Sequence, residues 1–373
     1  MPASGGAGGE TAAFEALRAR ITRDGPITVA QYMAEVLAHP AHGYYRRGAP
    51  IGAAGDFVTA PEISQMFGEL LGLWCADTWQ RLGAPSPVHL VELGPGRGTL
   101  MADALRAVRM MPGLRESLAV HLVEISAGFR ARQAETLSGA APTWHTDTSS
   151  LPAGPLLVIA NEFFDALPVR QFEKTPDGWS ERLVGYDPAA DRLAFALAQP
   201  GAAAAAHVPA ALRDAPNGAV VEVCPAAQAI AQDLGARIAR HGGAAIAVDY
   251  GTPTPDGRPS LQAVRHHAPA DVLDAPGTAD LTAHVDFGAL AGAFRAGGAA
   301  THGPVAQGTL LHALGIDSRA AILRRNASAA QAADIDAARR RLTAADAMGE
   351  LFKALAATTP GLGTPAGFPE PTA

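Results

Sequence analysis

Hydrophobic positions along this chain alternate between short continuous runs and runs at helical spacing. Continuous apolar runs are typical of strands that helices bury on both faces. Such runs predict five strands, over 88–93, 119–124, 141–145, 155–160 and 244–250. Apolar residues at helical steps predict helices over 100–109, 226–240, 284–296 and 327–348, with short strands near 300–311 and 351–357. The alternation predicts an α/β fold with helices on both faces of the sheet.

The first part of the chain follows a different pattern. Residues 1–10 are small and rich in glycine, and are predicted to be disordered. Residues 11–82 are predicted to form a helical N-terminal cap and lid, with a break at Pro26 and a helix start at Thr28. Residues 83–373 are predicted to form one domain. Two insertions are predicted within it, at about 172–220 and 251–280.

A glycine-rich turn follows the first buried strand. In VELGPGRGTL, Glu92 precedes Gly94, Gly96 and Gly98, and a helical pattern begins at Thr99. A strand, a tight turn and a helix N-terminus form the place where open α/β sheets bind nucleotide-like ligands. The threonine breaks the G-x-G-x-x-G dinucleotide pattern. An acid before the glycines would repel a pyrophosphate but pair with an ammonium group, which favours S-adenosylmethionine.

A second acid ends the next predicted strand. In a doubly wound sheet, Glu124 at that position accepts hydrogen bonds from ribose hydroxyls. Asp147, just after the third strand, is placed to accept a hydrogen bond from the adenine amino group. Glu92 and Glu124 place two carboxylates at the ends of neighbouring strands. This pair favours a cofactor site over the alternative that the glycines serve only the turn. The predicted cofactor-binding residues are Phe57, Thr59, Glu92, Gly94, Pro95, Gly96, Gly98, Thr99, Glu124, Ile125, Asp147 and Asn161.

The loop before the first strand carries aromatic and acidic residues among glycines and prolines. Asp56, Phe57, Thr59 and Glu62 could close over the cofactor as a lid, and a rigid structural loop is the alternative.

A second polar cluster follows the strand 155–160. Asn161, Glu162, Phe164 and Asp165 lie where this strand opens into the crevice above the sheet. Amino-group methyltransferases place an Asn and an aromatic residue at this spacing around two prolines, which are absent here. Methyl transfer to nitrogen requires aiming and desolvation of the acceptor, and paired carboxylates can bind a guanidinium in bidentate fashion. The predicted catalytic residues are therefore Asn161, Glu162 and Asp165. The alternative is that Asn161 caps a turn and Asp165 caps the next helix.

Composition and charge narrow the classes of partner. The chain has 373 residues, of which 48% are hydrophobic and 17% charged, with a formal net charge of -7. The negative charge argues against a nucleic-acid surface, and no apolar run reaches the about 20 residues of a membrane span. Two cysteines make neither a disulfide framework nor a zinc site, and we expect a reducing compartment. No secretory signal is visible, so the expected location is cytoplasmic, or the mitochondrial matrix in a eukaryote.

Several motifs in order along the chain resemble the MidA-type family of S-adenosylmethionine-dependent methyltransferases. The resemblance covers roughly 26–357 and rests on 51–72 (IGAAGDFVTAPEISQMFGELLG), 91–100 (VELGPGRGTL), 121–126 (HLVEIS), 159–172 (IANEFFDALPVRQF), 248–251 (VDYG), 260–267 (SLQAVRHH) and 276–287 (PGTADLTAHVDF). It implies a class I, Rossmann-like methyltransferase core with a helical N-terminal addition. Mitochondrial members of the family are complex I assembly factors that methylate an arginine of a core subunit. The family's glycine motif matches Gly94, Gly96 and Gly98.

The sequence thus predicts a methyltransferase that uses S-adenosylmethionine to methylate an arginine nitrogen of a protein, with a complex I subunit as one candidate. A non-catalytic, cofactor-binding assembly chaperone is the alternative, and the glycine spacing disfavours an NAD-dependent dehydrogenase. His266, His267, His284 and Asp286 lack regular metal spacing, so no metal is expected. The target protein and the oligomeric state are left open.

Overall fold

The structure is a computed structural model that describes residues 11–46 and 59–370. The strands are β1 (Ile27–Thr28), β2 (Val88–Leu93), β3 (Leu118–Val123), β4 (Thr143–His145), β5 (Leu156–Asn161), β6 (Arg170–Thr175), β7 (Gly178–Asp187), β8 (Arg192–Leu197), β9 (Val220–Val223), β10 (Gly243–Thr252), β11 (Gln262–Arg265), β12 (Ala268–Ala270), β13 (Asp280–Thr282), β14 (Val285–Asp286), β15 (Ala300–Ala306) and β16 (Phe352–Thr358).

Helices make up most of the described chain before β2 and are interspersed among the strands from β2 onward, except within the consecutive strands β4 to β8 and β10 to β14. They are α1 (Ala12–Asp24), α2 (Val29–Ala38), α3 (Ala60–Ile63), α4 (Gln65–Arg81), α5 (Thr99–Val108), α6 (Leu114–Ser117), α7 (Ala127–Thr136), α8 (Ala202–Ala205), α9 (Pro225–His241), α10 (Phe287–Ala296), α11 (Gln307–Ala313), α12 (Ile316–Arg324), α13 (Ala329–Thr343) and α14 (Met348–Leu351).

The central sheet is mixed. Its strands run in the order β15-β16-β10-β5-β2-β3-β4, and the short β14 pairs with the end of β10. The strands from β10 to β4 are parallel to one another, whereas β16 is antiparallel to both β10 and β15. The carboxyl ends of β2, β3, β4, β5 and β10 therefore meet along one edge of the sheet, where open α/β sheets bind their ligands.

Helices cover both faces of this sheet because alternate residues of each strand point in opposite directions. Leu90 and Leu157 join a core with α4 and α5 on one face. Val91 and Val158 join a second core with α9 and α10 on the other. Strands that are buried on both faces must be apolar throughout, which explains the continuous runs in the sequence.

A second sheet of five strands has the order β1-β7-β6-β9, with β8 paired to β7. Ile27 of β1 pairs with Val184 of β7, so the N-terminal segment belongs to this sheet. Leu17 of α1 and Tyr32 of α2 are buried with Val184 in one core, whereas α4 packs on the central sheet. The stretch predicted as one N-terminal cap therefore contributes to two separate cores.

The predicted elements agree with the structure in type more often than in bounds. Thr28 caps α2 through a capping box with Gln31, and Gly25 ends α1 just before Pro26. The helix predicted over 284–296 begins at Phe287, because Val285 and Asp286 pair with β10. The stretch near 300–311, predicted as strand, is strand only to Ala306 and continues as α11.

Residues 172–220, predicted as an inserted hairpin and loop region, hold most of the second sheet together with α8. Residues 251–280, the other predicted insertion, hold β11 and β12. In a three-stranded sheet, β11 pairs with β12 on one side and with β13 on the other. The expected tail at 1–10 and the predicted lid residues Asp56 and Phe57 lie outside the described residues.

Candidate active site

A cavity of about 400 Å³ opens at the carboxyl edge of the central sheet. Its walls come from the ends of β2, β3, β5 and β10, from α2, and from β13 of the three-stranded sheet. The lining residues are Ala34, Leu37, Ala38, Tyr44, Tyr45, Thr59, Gly94, Gly96, Val123, Glu124, Ile125, Phe129, Thr146, Asp147, Thr148, Glu162, Phe163, Asp165, Ala166, Leu167, Pro168, Ile230, Tyr250, Asp280 and Thr282.

The glycine-rich turn forms one wall and depends on its glycines. Gly94 has φ +62° and Gly96 φ +50°, in the left-handed region that L side chains rarely adopt. A Cβ atom at Gly94 would lie 2.9 Å from the Phe163 ring. The turn therefore approaches the 161–165 loop closely, and a side chain at Gly94 would separate these two walls of the cavity.

Gln133 of α7 ties this turn to Glu124. Its amide nitrogen donates to the Gly96 carbonyl at 2.7 Å and to Glu124 Oε2 at 3.2 Å, and its amide oxygen accepts from Trp144 Nε1 at 2.8 Å. Ser126 N donates to Glu124 Oε1 at 2.7 Å. Burial raises the pKa of Glu124, and these hydrogen bonds oppose that shift. Glu124 is therefore held in one orientation at the cavity wall.

Asp147 lies at the end of this wall, after β4. Its Oδ1 accepts from Ser149 N at 2.9 Å, which caps a short 3₁₀ helix over Thr148–Ser150. Asp147 also lines the cavity, so it caps this helix and faces the cavity at the same time.

Glu92 lies behind the turn and does not line the cavity. It points to the same face of the sheet as Leu90, towards α5, where its carboxylate accepts from the backbone of Met101. Burial, followed by the charge of Glu124, raises its pKa to about 8. Its Oε2 is buried without a hydrogen-bond partner among the described residues. Direct contact between Glu92 and an ammonium group stays a prediction.

The 161–165 loop forms the opposite wall. Glu162 has φ +48°, an uncommon conformation for a residue with a side chain. Its Oε1 accepts from Ala60 N at 3.0 Å and from Asn161 Nδ2 at 3.1 Å. Asn161 does not line the cavity, and its own Oδ1 is buried without a partner among the described residues. In this geometry Asn161 orients Glu162, whereas the prediction gave it direct contact with the acceptor nitrogen.

Asp249, at the end of β10, holds this loop from below. Its Oδ2 accepts from Phe164 N at 3.0 Å and from Asp165 N at 3.3 Å, and its Oδ1 accepts from Tyr250 N at 2.9 Å. Burial raises the pKa of Glu162 to about 7 and that of Asp165 to about 6. Burial and the charges of Asp165 and Glu162 raise the pKa of Asp249 well above its ordinary value. Carboxylates this close cannot all ionise unless a cation lies among them.

Two further cavity residues come from distant parts of the chain. The Tyr45 hydroxyl donates to Asp280 Oδ1 at 2.7 Å, and both side chains line the cavity. Burial, followed by the charges of Asp280 and Asp165, raises the pKa of Tyr45. Sequence reasoning noted the aromatic loop around Tyr45 but did not include Tyr45 or Asp280 among the site residues. Only the family motif PGTADLT could have indicated Asp280.

The structure thus brings together part of the predicted site. The predicted residues that line the cavity are Thr59, Gly94, Gly96, Glu124, Ile125, Asp147, Glu162 and Asp165. The predicted residues that lie outside its lining are Glu92, Pro95, Gly98, Thr99 and Asn161. Thr99 and Pro95 act on the turn itself, since Pro95 O accepts from Gly98 N at 2.7 Å and Thr99 Oγ1 donates to Glu62 Oε1 at 2.6 Å.

Glu35, His39 and His42 bring three atoms of metal-ligand type within 4.8 Å of one another near α2. His39 Nδ1 accepts from Ala41 N at 3.2 Å, so the hydrogen of a neutral ring lies on Nε2, which faces Glu35. His42 Nε2 lies 2.9 Å from Glu35 Oε1. His42 is therefore within hydrogen-bond distance of the Glu35 carboxylate, whereas His39 Nε2 lies 3.8 Å from it.

Comparison with known proteins identifies the family. A model of a family described as S-adenosyl-L-methionine-dependent methyltransferases matches residues 70–305. The chain belongs to this family. The cofactor expected from the glycine turn and Glu124 is thereby confirmed.

Named relatives and solved structures agree with this assignment. The chain is 44% identical to the rat protein named protein arginine methyltransferase NDUFAF7, mitochondrial, over 82% of this chain and 74% of the relative. It is 42% identical to the human protein of the same name, over 82% and 73%. A protein from Burkholderia thailandensis crystallised with S-adenosylhomocysteine superposes with a TM-score of 0.81 at 31% identity, over 95% of this chain and 94% of that one.

The cavity fits such a cofactor. Gly94 and Gly96 leave its floor free of side chains, Glu124 lies at the end of β3 as a ribose acceptor should, and Asp147 lies one strand further on. Glu124, Ile125 and Asp147 would hold the nucleoside, and the turn would hold the amino-acid end.

Proposed function

We propose that this protein transfers a methyl group from S-adenosylmethionine to an arginine nitrogen of a protein. The observation that carries the proposal is the charge of the cavity. Five carboxylic side chains line it, from Glu124, Asp147, Glu162, Asp165 and Asp280, and within residues 11–46 and 59–370 no lysine, arginine or histidine does. Glu124 and Asp147 belong to the proposed cofactor side, which leaves Glu162, Asp165 and Asp280 to attract a cationic acceptor. A guanidinium is cationic at neutral pH.

Glu162 is positioned to orient the guanidinium. Two N–H groups occupy its Oε1, so its Oε2 is the oxygen left for an acceptor. Asp165 lies three residues further on in the same loop and lines the same wall. Together they can bind two N–H groups of the planar guanidinium and fix the plane from which its nitrogen reacts.

The cofactor supplies an electrophilic methyl group. The arginine nitrogen that receives it must lose a proton, and a group whose pKa lies near neutral pH accepts that proton best. Glu162, whose pKa is raised to about 7 by burial, meets this condition. A guanidinium beside Glu162 and Asp165 also favours their ionised forms, so binding of the acceptor prepares the base.

The proposal includes the type of methyltransferase core and the domain boundary. The order of the central sheet, with β16 antiparallel between β10 and β15, supports a Rossmann-like class I methyltransferase core. The predicted domain boundary at residue 83 stays a prediction; of the helices before it, α1 and α2 pack with the second sheet and α4 packs on the central sheet.

The family resemblance implies a complex I subunit as the protein substrate. The cytoplasm is the predicted location if the chain is bacterial. The relatives named above are called mitochondrial. None of the helices within 11–46 and 59–370 has both the length and the apolar character to cross a membrane.

The test is the Glu162→Gln variant, which keeps the side chain's shape and removes its charge. With methyl-labelled S-adenosylmethionine and extract from cells that lack this gene, we expect turnover to fall by about 10- to 1,000-fold with cofactor affinity near wild type. The matched control is Glu181→Gln, which removes a charge paired with Arg170 in the second sheet and should leave turnover unchanged. Normal turnover in Glu162→Gln would contradict the role of Glu162. Cofactor binding without any transfer by the wild type would instead favour the assembly chaperone.

A further inference from the structure

The short helix α3 lies between the two walls of the active site. At its start, Ala60 N donates to Oε1 of Glu162, the proposed acceptor-binding carboxylate, at 3.0 Å. Thr59, which precedes α3, lines the cavity. The beginning of α3 is therefore connected to the acceptor wall.

Glu62, in the same helix, is connected to the cofactor wall. Its Oε1 accepts from Thr99 Oγ1 at 2.6 Å, and its Oε2 lies 3.3 Å from Arg97 Nη1. Thr99 is the first residue of α5, and Arg97 lies between Gly96 and Gly98 in the glycine-rich turn. The Glu62 side chain is only 15% exposed, so solvent competes weakly for these bonds.

The base of α3 is rigid. It continues through Ser64 into α4, which packs closely on α5. A Cβ atom at Gly72 of α4 would lie 2.6 Å from the Ala104 carbonyl oxygen, so the two backbones are nearly in contact. A shift of the turn at Arg97 or Thr99 therefore passes to α3 through Glu62, because α3 cannot be displaced freely against α5.

We propose that Glu62 is a positioning residue that couples cofactor binding at the glycine-rich turn to the orientation of Glu162. The cofactor orders the turn, Arg97 and Thr99 fix Glu62, and Ala60 at the start of the same helix fixes Oε1 of Glu162. The acceptor site is then completed only when the cofactor is in place. The role of Glu162 in this coupling rests on the proposed function, but the coupling itself is measurable without an acceptor.

The experiment is amide hydrogen exchange with and without saturating S-adenosylhomocysteine. In the wild type we expect slower exchange in the turn 94–99, in α3 and in the 161–165 loop. In Glu62→Gln we expect the ligand to bind within about threefold of wild type and to protect the turn fully. It should protect the 161–165 loop less than in wild type, because a glutamine removes the ion pair with Arg97 while the direct contact of Phe163 with Gly94 remains. Thr99→Val removes the hydroxyl donor at nearly constant size and should also reduce the ligand's protection of the 161–165 loop. It replaces Glu62→Gln in the experiment if that variant does not fold.

The matched control is Glu69→Gln. Glu69 is a buried glutamate of α4 whose Oε2 accepts from Arg319 Nε at 2.7 Å and whose Oε1 accepts from Arg106 Nε at 3.1 Å, away from the 161–165 loop. It should lower stability and leave the ligand's protection of 161–165 intact.

Two outcomes would overturn the proposal: a 161–165 loop that the ligand does not protect in the wild type, or one that it protects as strongly as in wild type in both Glu62→Gln and Thr99→Val. A failure of the proposed function would look different, since the wild type would show the protection and yet methylate no arginine.

Discussion

Single side chains in this site serve the fold and the ligand together, and Glu124 shows how. Its two oxygens accept from Ser126 N and Gln133 Nε2, and the same carboxylate lines the cavity. Gln133 also holds the Gly96 carbonyl. We therefore expect loss of Glu124 to remove a ligand contact and also to loosen the turn.

We expect Glu124→Ala to weaken S-adenosylmethionine binding by about ten- to a hundred-fold, since a hydrogen bond to a charged group is worth about 1.5–3 kcal/mol. Titration calorimetry measures this directly. Glu135→Ala, at an exposed position of α7, is the control and should bind like wild type. Equal affinities in the two variants would rule out contact between Glu124 and the cofactor.

Whether a residue's place in the cavity wall could be predicted from the sequence depends on the direction of its side chain. Glu162 and Asp165 follow a strand end and line the cavity as expected. Glu92 also ends a strand, but it shares its face with Leu90 and turns towards α5, because side chains alternate along a strand. Asp280 reaches the cavity through tertiary pairing of β13 with β11, which no local pattern encodes.

At the scale of elements, three neighbouring strands are linked by a chain of histidines. His89 Nδ1 of β2 lies 3.1 Å from His121 Nε2 of β3, and His121 Nδ1 lies 3.0 Å from His145 Nε2 of β4. His145 Nδ1 lies 3.0 Å from the Ser150 hydroxyl. Each contact needs one donor and one acceptor, which neutral rings can supply along the whole chain.

This chain makes stability depend on pH. Burial, followed by the charges of His89 and His145, lowers the pKa of His121 to about 4 from 6.5. A histidine whose pKa is lowered on folding contributes stability that is present above 6.5 and is lost as pH falls from 6.5 to about 4. Relative to a His121→Gln variant, wild type should lose up to about 3 kcal/mol of unfolding free energy across this window.

Chemical denaturation at several pH values measures both proteins. The comparison with His121→Gln is needed because the buried acids act in the opposite direction: Glu92 and Glu162 have raised pKa values and stabilise the fold as pH falls. Parallel stability curves for the two proteins would show that the histidine chain carries no pH dependence.

Elements with strong local signals were predictable, and elements that depend on distant pairing were not. The apolar runs gave β2, β5 and β10 to within two residues at either end, because burial on both faces demands them. In β8, by contrast, Leu193 is the one buried residue and Phe195 and Leu197 are exposed, and the alanine-rich sequence around the strand indicated only a hairpin and loops. The two residues of β1 form a strand solely because they pair with β7.

At the scale of the whole molecule, the cavity lies where the central sheet meets the N-terminal helix α2 and the three-stranded sheet. Glu124, Ile125 and Asp147 line it at the ends of β3 and β4. Tyr45, from the segment after α2, and Asp280 of β13 line it as well and are joined by a hydrogen bond. We therefore expect the central sheet to supply most of the cofactor site and the added parts to shape the acceptor site.

The central claim is that the acceptor is an arginine nitrogen, and the most direct measurement is the identity of the labelled residue. Wild-type protein would be incubated with methyl-labelled S-adenosylmethionine and extract from cells that lack its gene, and the labelled protein hydrolysed to amino acids and analysed by mass spectrometry. We predict label in methylarginine, and its loss in Glu162→Gln. Label in lysine, in a hydroxyl ester or in a nucleic-acid base would contradict the account.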